Sequence, residues 1–153
     1  FDIRSGGANK LLEFITTELI PFVESNYRVS LTDRYLGGYS YGGLFTLYTM
    51  FSKPNLFIKY FAGSPSIDFG NGFLFDLENS FASSHKDIRA KLWMTAGGAE
   101  DSITISNIKR MTSTLKSRNY PGFSVESYVF PEETHQSSMA VSLMRGFVVL
   151  NKK

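Results

Sequence analysis

Residues 34–43 read Arg34-Tyr35-Leu36-Gly37-Gly38-Tyr39-Ser40-Tyr41-Gly42-Gly43, which places four glycines around one serine. This stretch predicts a short strand, a very tight turn and the start of a helix. The turn contains Gly38-x-Ser40-x-Gly42, the pattern of a nucleophile elbow, in which the serine sits at a strained backbone position with its hydroxyl projecting from the sheet. Small residues two positions to either side let the strand and helix pack closely. Ser40 is therefore the candidate nucleophile.

The helix that follows Ser40 is a candidate site for stabilising negative charge. Its first backbone N–H groups are free and lie at the positive end of the helix dipole. We expect the N–H of Tyr41, the residue after the nucleophile, to be one donor of an oxyanion hole. The second donor normally comes from a loop after an earlier strand, and no strand–loop unit of that kind is found before residue 34.

Composition excludes several classes of function. The 153 residues are 42% hydrophobic and 20% charged with a formal charge of +2, which is typical of one soluble globular domain and gives no support for nucleic-acid binding. With no cysteine, thiolate zinc sites and a cysteine nucleophile are excluded. No apolar run is long enough to span a membrane. No nucleotide-binding glycine motif is found, so neither a cofactor nor a metal is predicted.

The rest of the chain alternates between helical and strand patterns. An amphipathic helix over 9–27 is interrupted by Pro21, and the helix after the elbow runs over 44–51. Strands are predicted at 35–36, 57–63, 91–96 and 123–130, and further helices at 106–119 and 139–148. Residues 67–84 show no single period and are read as a short helix and a loop over the site. This alternation predicts a mostly parallel sheet with helices on both faces.

Candidate catalytic side chains follow the ends of the predicted strands. Ser40, the pair Glu100 and Asp101, and His135 should gather at one edge of the sheet, where ligands bind in such folds. His135 is the candidate general base, whereas His85 precedes a strand and is interpreted as a solvated surface residue. The carboxylate that would orient the imidazole is either Glu100 or Asp101, because adjacent loop residues usually point different ways.

Two other interpretations bear on the acids. Either Glu100 or Asp101 could instead complement the dipole of the helix that follows. Glu132 and Glu133 are near His135 in sequence, and we expect them on the exposed side of the loop.

Taken together, these residues resemble the serine esterase family of α/β-hydrolases, which includes esterase D-like enzymes and siderophore esterases of the IroE type. The pieces that carry the resemblance are Glu18-Leu19-Ile20-Pro21, Asn26-Tyr27-Arg28, residues 34–44, Ser64-Pro65-Ser66, Gly97-Gly98-Ala99-Glu100-Asp101 and His135-Gln136-Ser137. The order serine, acid, histidine is that of the family. The resemblance implies an α/β-hydrolase fold, with Ser40 as nucleophile, His135 as general base and Glu100, in a strand-end G-x-x-E pattern, ahead of Asp101 as the acid.

The chain also departs from the family pattern. Family members carry several strands before the equivalent of Asn9, including the second oxyanion donor. We therefore expect residues 1–153 to be the C-terminal portion of a single catalytic domain, since the strand at Tyr35 would otherwise be a bare, apolar sheet edge. Tyr39 and Tyr41 stand where the family often has His and Leu, which alters the pocket surface and not the chemistry.

The leading hypothesis is a serine esterase that acts through an acyl-enzyme on Ser40. The resemblance implies a small-molecule ester or lactone substrate, with catecholate siderophores among the candidates. Two alternatives are acyl transfer to an alcohol and a non-catalytic binding module that kept the fold. The sequence leaves open the substrate, the oligomeric state and the compartment, cytoplasmic or periplasmic.

Overall fold

The computed structural model of the protein describes residues 6–152. Residues 1–5 and 153, which the predicted domain of 1–153 includes, lie outside the described residues.

Four parallel strands form one sheet. They are β1 (Tyr35–Tyr39), β2 (Lys59–Gly63), β3 (Ala90–Gly97) and β4 (Phe123–Phe130), and they lie side by side in that order. Tyr39 is in register with Gly63, Gly63 with Thr95, and Gly97 with Phe130. The carboxyl ends of all four strands therefore meet at one edge, and the predicted parallel sheet is confirmed.

Helices connect and cover the strands. They are α1 (Ala8–Phe14), a π-helical turn (Ile15–Leu19), α2 (Ile20–Asn26), α3 (Tyr41–Ser52), α4 (Phe69–Ser84), α5 (Ser102–Arg118) and α6 (Ser138–Leu150). The predicted interruption near Pro21 is confirmed, because the π-helical turn immediately precedes α2 and Pro21 lies in the first turn of α2.

The core is divided by the sheet. Tyr60, Ala62, Leu92 and Met94 point to the face covered by α3, α4 and α5, where the main apolar cluster lies. The alternate residues Phe61 and Trp93 point to the other face and pack with Leu150 of α6. Each fully buried large apolar side chain contributes about 1.5–3 kcal/mol, so both faces stabilise the sheet.

Residues 67–84 contain more helix than the predicted short helix and loop, since α4 covers Phe69–Ser84 with a kink near its start. Gly70, Asn71 and Gly72 interrupt it with φ of 63°, 59° and 74°, a left-handed conformation that glycine and asparagine tolerate best. These three residues hide the helical period of the sequence.

The apolar spacing in α6 does not mark its buried face. Within the described residues the buried positions are Ser138, Ser142, Gly146 and Leu150, whereas Met139, Leu143, Met144, Phe147 and Val148 are exposed. A Cβ at Gly146 would lie 3.1 Å from the Phe61 ring, so small residues bring this helix close to the sheet. The larger side chains are left on the outer surface.

An apolar groove runs between α6 and the edge strand β1. Its volume is about 440 Å³, and its lining includes Leu36, Phe61, Met139, Leu143 and Phe147. In the part of the chain that the structure describes, β1 pairs only with β2. The expected bare, apolar sheet edge is therefore present.

None of the helices over residues 6–152 has the length and apolarity needed to cross a membrane.

Candidate active site

Ser40 occupies the sharp turn between β1 and α3. Its φ of 58° and ψ of −119° lie outside the regions open to most residues with a side chain, and such a conformation costs about 1–3 kcal/mol. Its N–H donates to the carbonyl of Gly63 at 2.8 Å, and its carbonyl accepts from the N–H of Leu44 at 3.0 Å. The strained serine position expected of a nucleophile elbow is present.

The glycines that make the turn possible differ in part from the prediction. A Cβ at Gly38 would lie 2.1 Å from the carbonyl oxygen of Gly42, so this position admits only glycine. A Cβ at Gly42 would meet no described atom within 4 Å, whereas one at Gly43 would lie 2.9 Å from the carbonyl oxygen of Gly63. The close packing expected at Gly38 and Gly42 occurs at Gly38 and Gly43.

The N–H of Tyr41 is the first of α3. No backbone carbonyl among residues 6–152 accepts a hydrogen bond from it, as expected for the first residue of a helix. The Tyr41 ring is exposed and meets the ring of Phe69 edge-on at 5.5 Å.

An imidazole–carboxylate pair lies beyond β3 and β4. Nδ1 of His135 is 2.7 Å from Oε2 of Glu100. The side chain of Glu100 is only 4% exposed, that of His135 is 37% exposed, and the N–H of Gly97 donates to Oε1 of Glu100 at 2.6 Å. A buried carboxylate so held can orient the ring and stabilise its protonated form.

Glycine also allows the loops that carry this pair to meet. The N–H of Gly98 donates to the carbonyl of Phe130 at 2.7 Å, and the N–H of Ala99 donates to that of Glu133 at 2.9 Å. A Cβ at Gly97 would lie 2.2 Å from the carbonyl oxygen of Glu133. The two loops are thus joined backbone to backbone.

Asp101 has a different position from Glu100. It is the N-cap of α5, and its carboxylate accepts from the N–H and the hydroxyl of Thr104, both at 2.8 Å. These hydrogen bonds hold the pKa of Asp101 below its ordinary value. The helix-terminus interpretation thus fits Asp101, while Glu100 is the acid that the structure places against His135.

Among the described residues, the side chains of the remaining polar candidates make no hydrogen bond with the pair. His85 follows α4 ahead of β3, as predicted, but it is half-buried and stacks on the ring of Phe81 at 4.1 Å, so its interpretation as a solvated residue is wrong. In the loop before His135, Glu132 is exposed and Glu133 is half-buried, so the expectation that both are exposed is met only by Glu132.

Two residues at this edge were not predicted as members of the site. The hydroxyl of Tyr39 donates to the carbonyl of His135 at 2.6 Å and lies 2.6 Å from Oγ of Ser138. Burial raises the pKa of Tyr39, which keeps this hydroxyl protonated. Ser64, directly after β2, donates to Glu100. Their positions at strand ends were one available signal, and Ser64 also stands in Ser64-Pro65-Ser66, one of the pieces that carry the family resemblance.

A large groove opens beside Tyr41. Its volume is about 1220 Å³, and α1, α3 and α4 line it with mainly apolar and aromatic side chains that include Tyr41, Phe45, Tyr48, Phe69 and Phe73. It adjoins the elbow and can receive a bulky ligand.

Across residues 6–152 no three His, Asp or Glu side chains are grouped closely enough to hold a metal ion.

Comparison with known proteins gives consistent matches. A family model described as "Putative esterase" matches residues 4–127. The ferri-bacillibactin esterase BesA of Bacillus subtilis (strain 168) is 30% identical over 146 residues, which cover 92% of this chain and 50% of that protein.

Solved structures match over almost the whole chain. The BES protein from Bacillus cereus has a TM-score of 0.88 and 27% identity, and the match covers 97% of this chain and 56% of that one. The siderophore hydrolase EstA from Aspergillus nidulans has a TM-score of 0.84 and 28% identity, with 95% and 57% covered. The chain therefore spans about half the length of these relatives, and the predicted α/β-hydrolase fold is confirmed.

Proposed function

The chain belongs to the esterase family, and we propose that it is a serine hydrolase that cleaves carboxylic esters through an acyl-enzyme on Ser40. The observation that carries the proposal is the His135–Glu100 pair, in which Nδ1 and Oε2 are 2.7 Å apart. The pair lies at the carboxyl ends of the strands, where Ser40 also occupies its strained turn. Tyr39, the residue before Ser40, contacts His135 through both its hydroxyl and its ring, so the turn and the pair are neighbours.

The roles follow from the chemistry of each group. A serine hydroxyl is a weak nucleophile and needs an adjacent base. With Nδ1 of His135 directed at Glu100, Nε2 is free to take the Ser40 proton as Oγ attacks the ester carbonyl. The same proton then passes to the leaving alcohol, and water resolves the acyl-enzyme by the reverse path.

The developing oxyanion would be stabilised by the N–H of Tyr41 at the start of α3. We propose that the second donor belongs to a segment upstream of this chain, and that residues 1–153 form the C-terminal portion of one catalytic domain. The length of the relatives supports this proposal, as does the apolar groove along β1, a type of sheet edge that natural proteins usually cover.

The substrate is proposed to be a siderophore-type lactone or a related ester. Two relatives are described as a ferri-bacillibactin esterase and a siderophore hydrolase. The groove of about 1220 Å³ with aromatic walls beside Tyr41 is large enough for a bulky substrate.

The test is intact-mass measurement after incubation with a fluorophosphonate, which reacts with activated serines. We expect one adduct on the full-length protein and none on Ser40→Ala. Ser142→Ala, which removes a buried hydroxyl on α6, should keep the adduct. A folded full-length protein that forms no adduct contradicts the proposal and favours a binding module. Ester product formed from an added alcohol acceptor would instead indicate acyl transfer.

A further inference from the structure

Ser64 lies at the carboxyl end of β2, between two catalytic candidates. Only 1% of its surface is exposed, and its N–H donates to the carbonyl of Thr95 at 2.8 Å. Its φ of 38° is left-handed, a conformation in which a residue with a side chain is uncommon. The backbone thus holds one buried hydroxyl at a fixed point.

The hydroxyl contacts both members of the imidazole–carboxylate pair. Oγ of Ser64 donates to Oε2 of Glu100 and lies 3.1 Å from Nδ1 of His135. Together with the N–H of Gly97 on Oε1, donors from the ends of β2 and β3 fix the Glu100 carboxylate. The position of this buried side chain therefore depends on Ser64 as well as on its own loop.

The count of protons determines the direction of each hydrogen bond. An ionised carboxylate only accepts, so the single proton of the Ser64 hydroxyl points to Glu100. The Ser64 oxygen then presents a lone pair to Nδ1 of His135. Nδ1 faces two acceptors, Oε2 and Oγ, and it must carry a proton to satisfy them. In the neutral ring this leaves Nε2 unprotonated, the form that a general base requires.

We propose that Ser64 is a positioning residue that holds Glu100 against His135 and selects the Nδ1–H tautomer. This inference rests on the proposed function, because the tautomer matters only if His135 acts as a base. Ser64 itself does not touch the reacting atoms.

Kinetics separate this role from a merely structural one. In the full-length protein, Ser64→Ala should lower kcat roughly tenfold, within the ~100-fold that a 1 Å misplacement can cost, and leave KM nearly unchanged. In a Glu100→Ala background the same change should cost less than twofold, because the group through which Ser64 acts is gone. An equal loss in both backgrounds overturns the proposal.

Two further variants serve as controls for the kinetics of Ser64→Ala. Ser64→Gly removes the same hydroxyl while accepting the left-handed φ, and it should reproduce the kinetics of Ser64→Ala even if the latter folds poorly. Ser142→Ala is the matched control, since Ser142 is also fully buried but its hydroxyl has no hydrogen-bond partner among the described residues. It should keep the wild-type rate.

A spectrum of the imidazole nitrogens tests the tautomer without turnover. Long-range ¹H–¹⁵N spectra, assigned with His135→Gln, should show His135 in the Nδ1–H form, and Ser64→Ala should add the Nε2–H form or speed exchange of the Nδ1 proton. An Nε2–H form in the wild type, or an unchanged spectrum in Ser64→Ala, overturns the proposal. Because no activity is needed, this result is independent of whether Ser40 reacts with the fluorophosphonate.

Discussion

The phenol of Tyr39 donates a hydrogen bond of 2.6 Å to the backbone carbonyl of His135, although the two residues are 96 positions apart. Their rings are 5.1 Å apart at an angle of 57°. Since a phenol has one proton, the Tyr39 oxygen then accepts from the hydroxyl of Ser138, which is fully buried. The residue before the candidate nucleophile thus anchors the loop that carries the candidate base.

Tyr39→Phe should weaken that anchor. It leaves the buried Ser138 hydroxyl without its acceptor, and a buried polar group left unsatisfied costs about 1–3 kcal/mol. We expect the free energy of unfolding to fall by that amount and kcat to fall roughly tenfold as the His135 loop loosens. Denaturant unfolding and steady-state kinetics measure the two effects.

Tyr128→Phe is the control for that substitution. Tyr128 lies half-exposed on β4 and packs its ring against Phe130. Removal of its hydroxyl should change neither the free energy of unfolding nor kcat. Equal losses in the two variants would argue against an anchoring role for Tyr39.

Glu100 and Asp101 are adjacent, but replacing each by its uncharged amide should have different effects on kcat. Glu100→Gln removes the charge beside Nδ1 of His135, and we expect kcat to fall on the order of 100-fold or more. Asp101→Asn keeps an acceptor for Thr104 at the start of α5 and should retain a near-wild-type rate. Rates of ester hydrolysis distinguish the two variants. A larger loss of rate in Asp101→Asn would assign Asp101, and not Glu100, as the acid that acts on His135.

Gly97→Ala should damage both stability and rate. Its Cβ would lie 2.2 Å from the carbonyl oxygen of Glu133, a backbone atom, so the joined loops must separate. Overpacking of this kind typically costs 1–3 kcal/mol, and it also displaces Glu100. Denaturant unfolding measures the loss. Gly7→Ala, at the N-cap of α1 with no described atom within 4 Å of the added Cβ, should leave the rate unchanged, and an equal loss of rate there would refute the steric argument.

The four strands and the strained serine could be predicted because their signals are local. The apolar runs ending at Tyr39, Gly63, Gly97 and Phe130 are bounded by turn residues, and a tight turn after the first run is specified by Gly38. Strand ends then predict which loops meet. Local patterns of this kind suffice to place Ser40, Glu100 and His135 at one edge of the sheet.

The buried face of α6 and the role of Ser64 could not be predicted, because both depend on tertiary contacts. The period of α6 marks an apolar face, yet Ser138, Ser142 and Gly146 are buried instead, because only small residues let the helix approach Phe61 and Trp93. The role of Ser64 depends on where Glu100 and His135 lie after folding. The segment Ser64-Pro65-Ser66 carries part of the family resemblance, but the sequence does not show which side chains the Ser64 hydroxyl meets.

The N-cap of α5 should make part of the stability depend on pH. The pKa of Asp101 is held below its ordinary value of 3.8 by hydrogen bonds from Thr104. A lowered carboxylate pKa means that the charged form stabilises the folded state at pH values above 3.8, and that this contribution is lost as the pH falls through the lower, folded-state value. At pH 7 the wild type should therefore be more stable than Asp101→Asn, which keeps the acceptor without the charge, by roughly 0.3–1 kcal/mol because the site is exposed. Urea unfolding of both proteins from pH 7 to pH 2 measures the difference, which should vanish at the acid end and should be smaller throughout in a Thr104→Val background. A difference that stays constant across this range would show that the charge of Asp101 does not stabilise the helix.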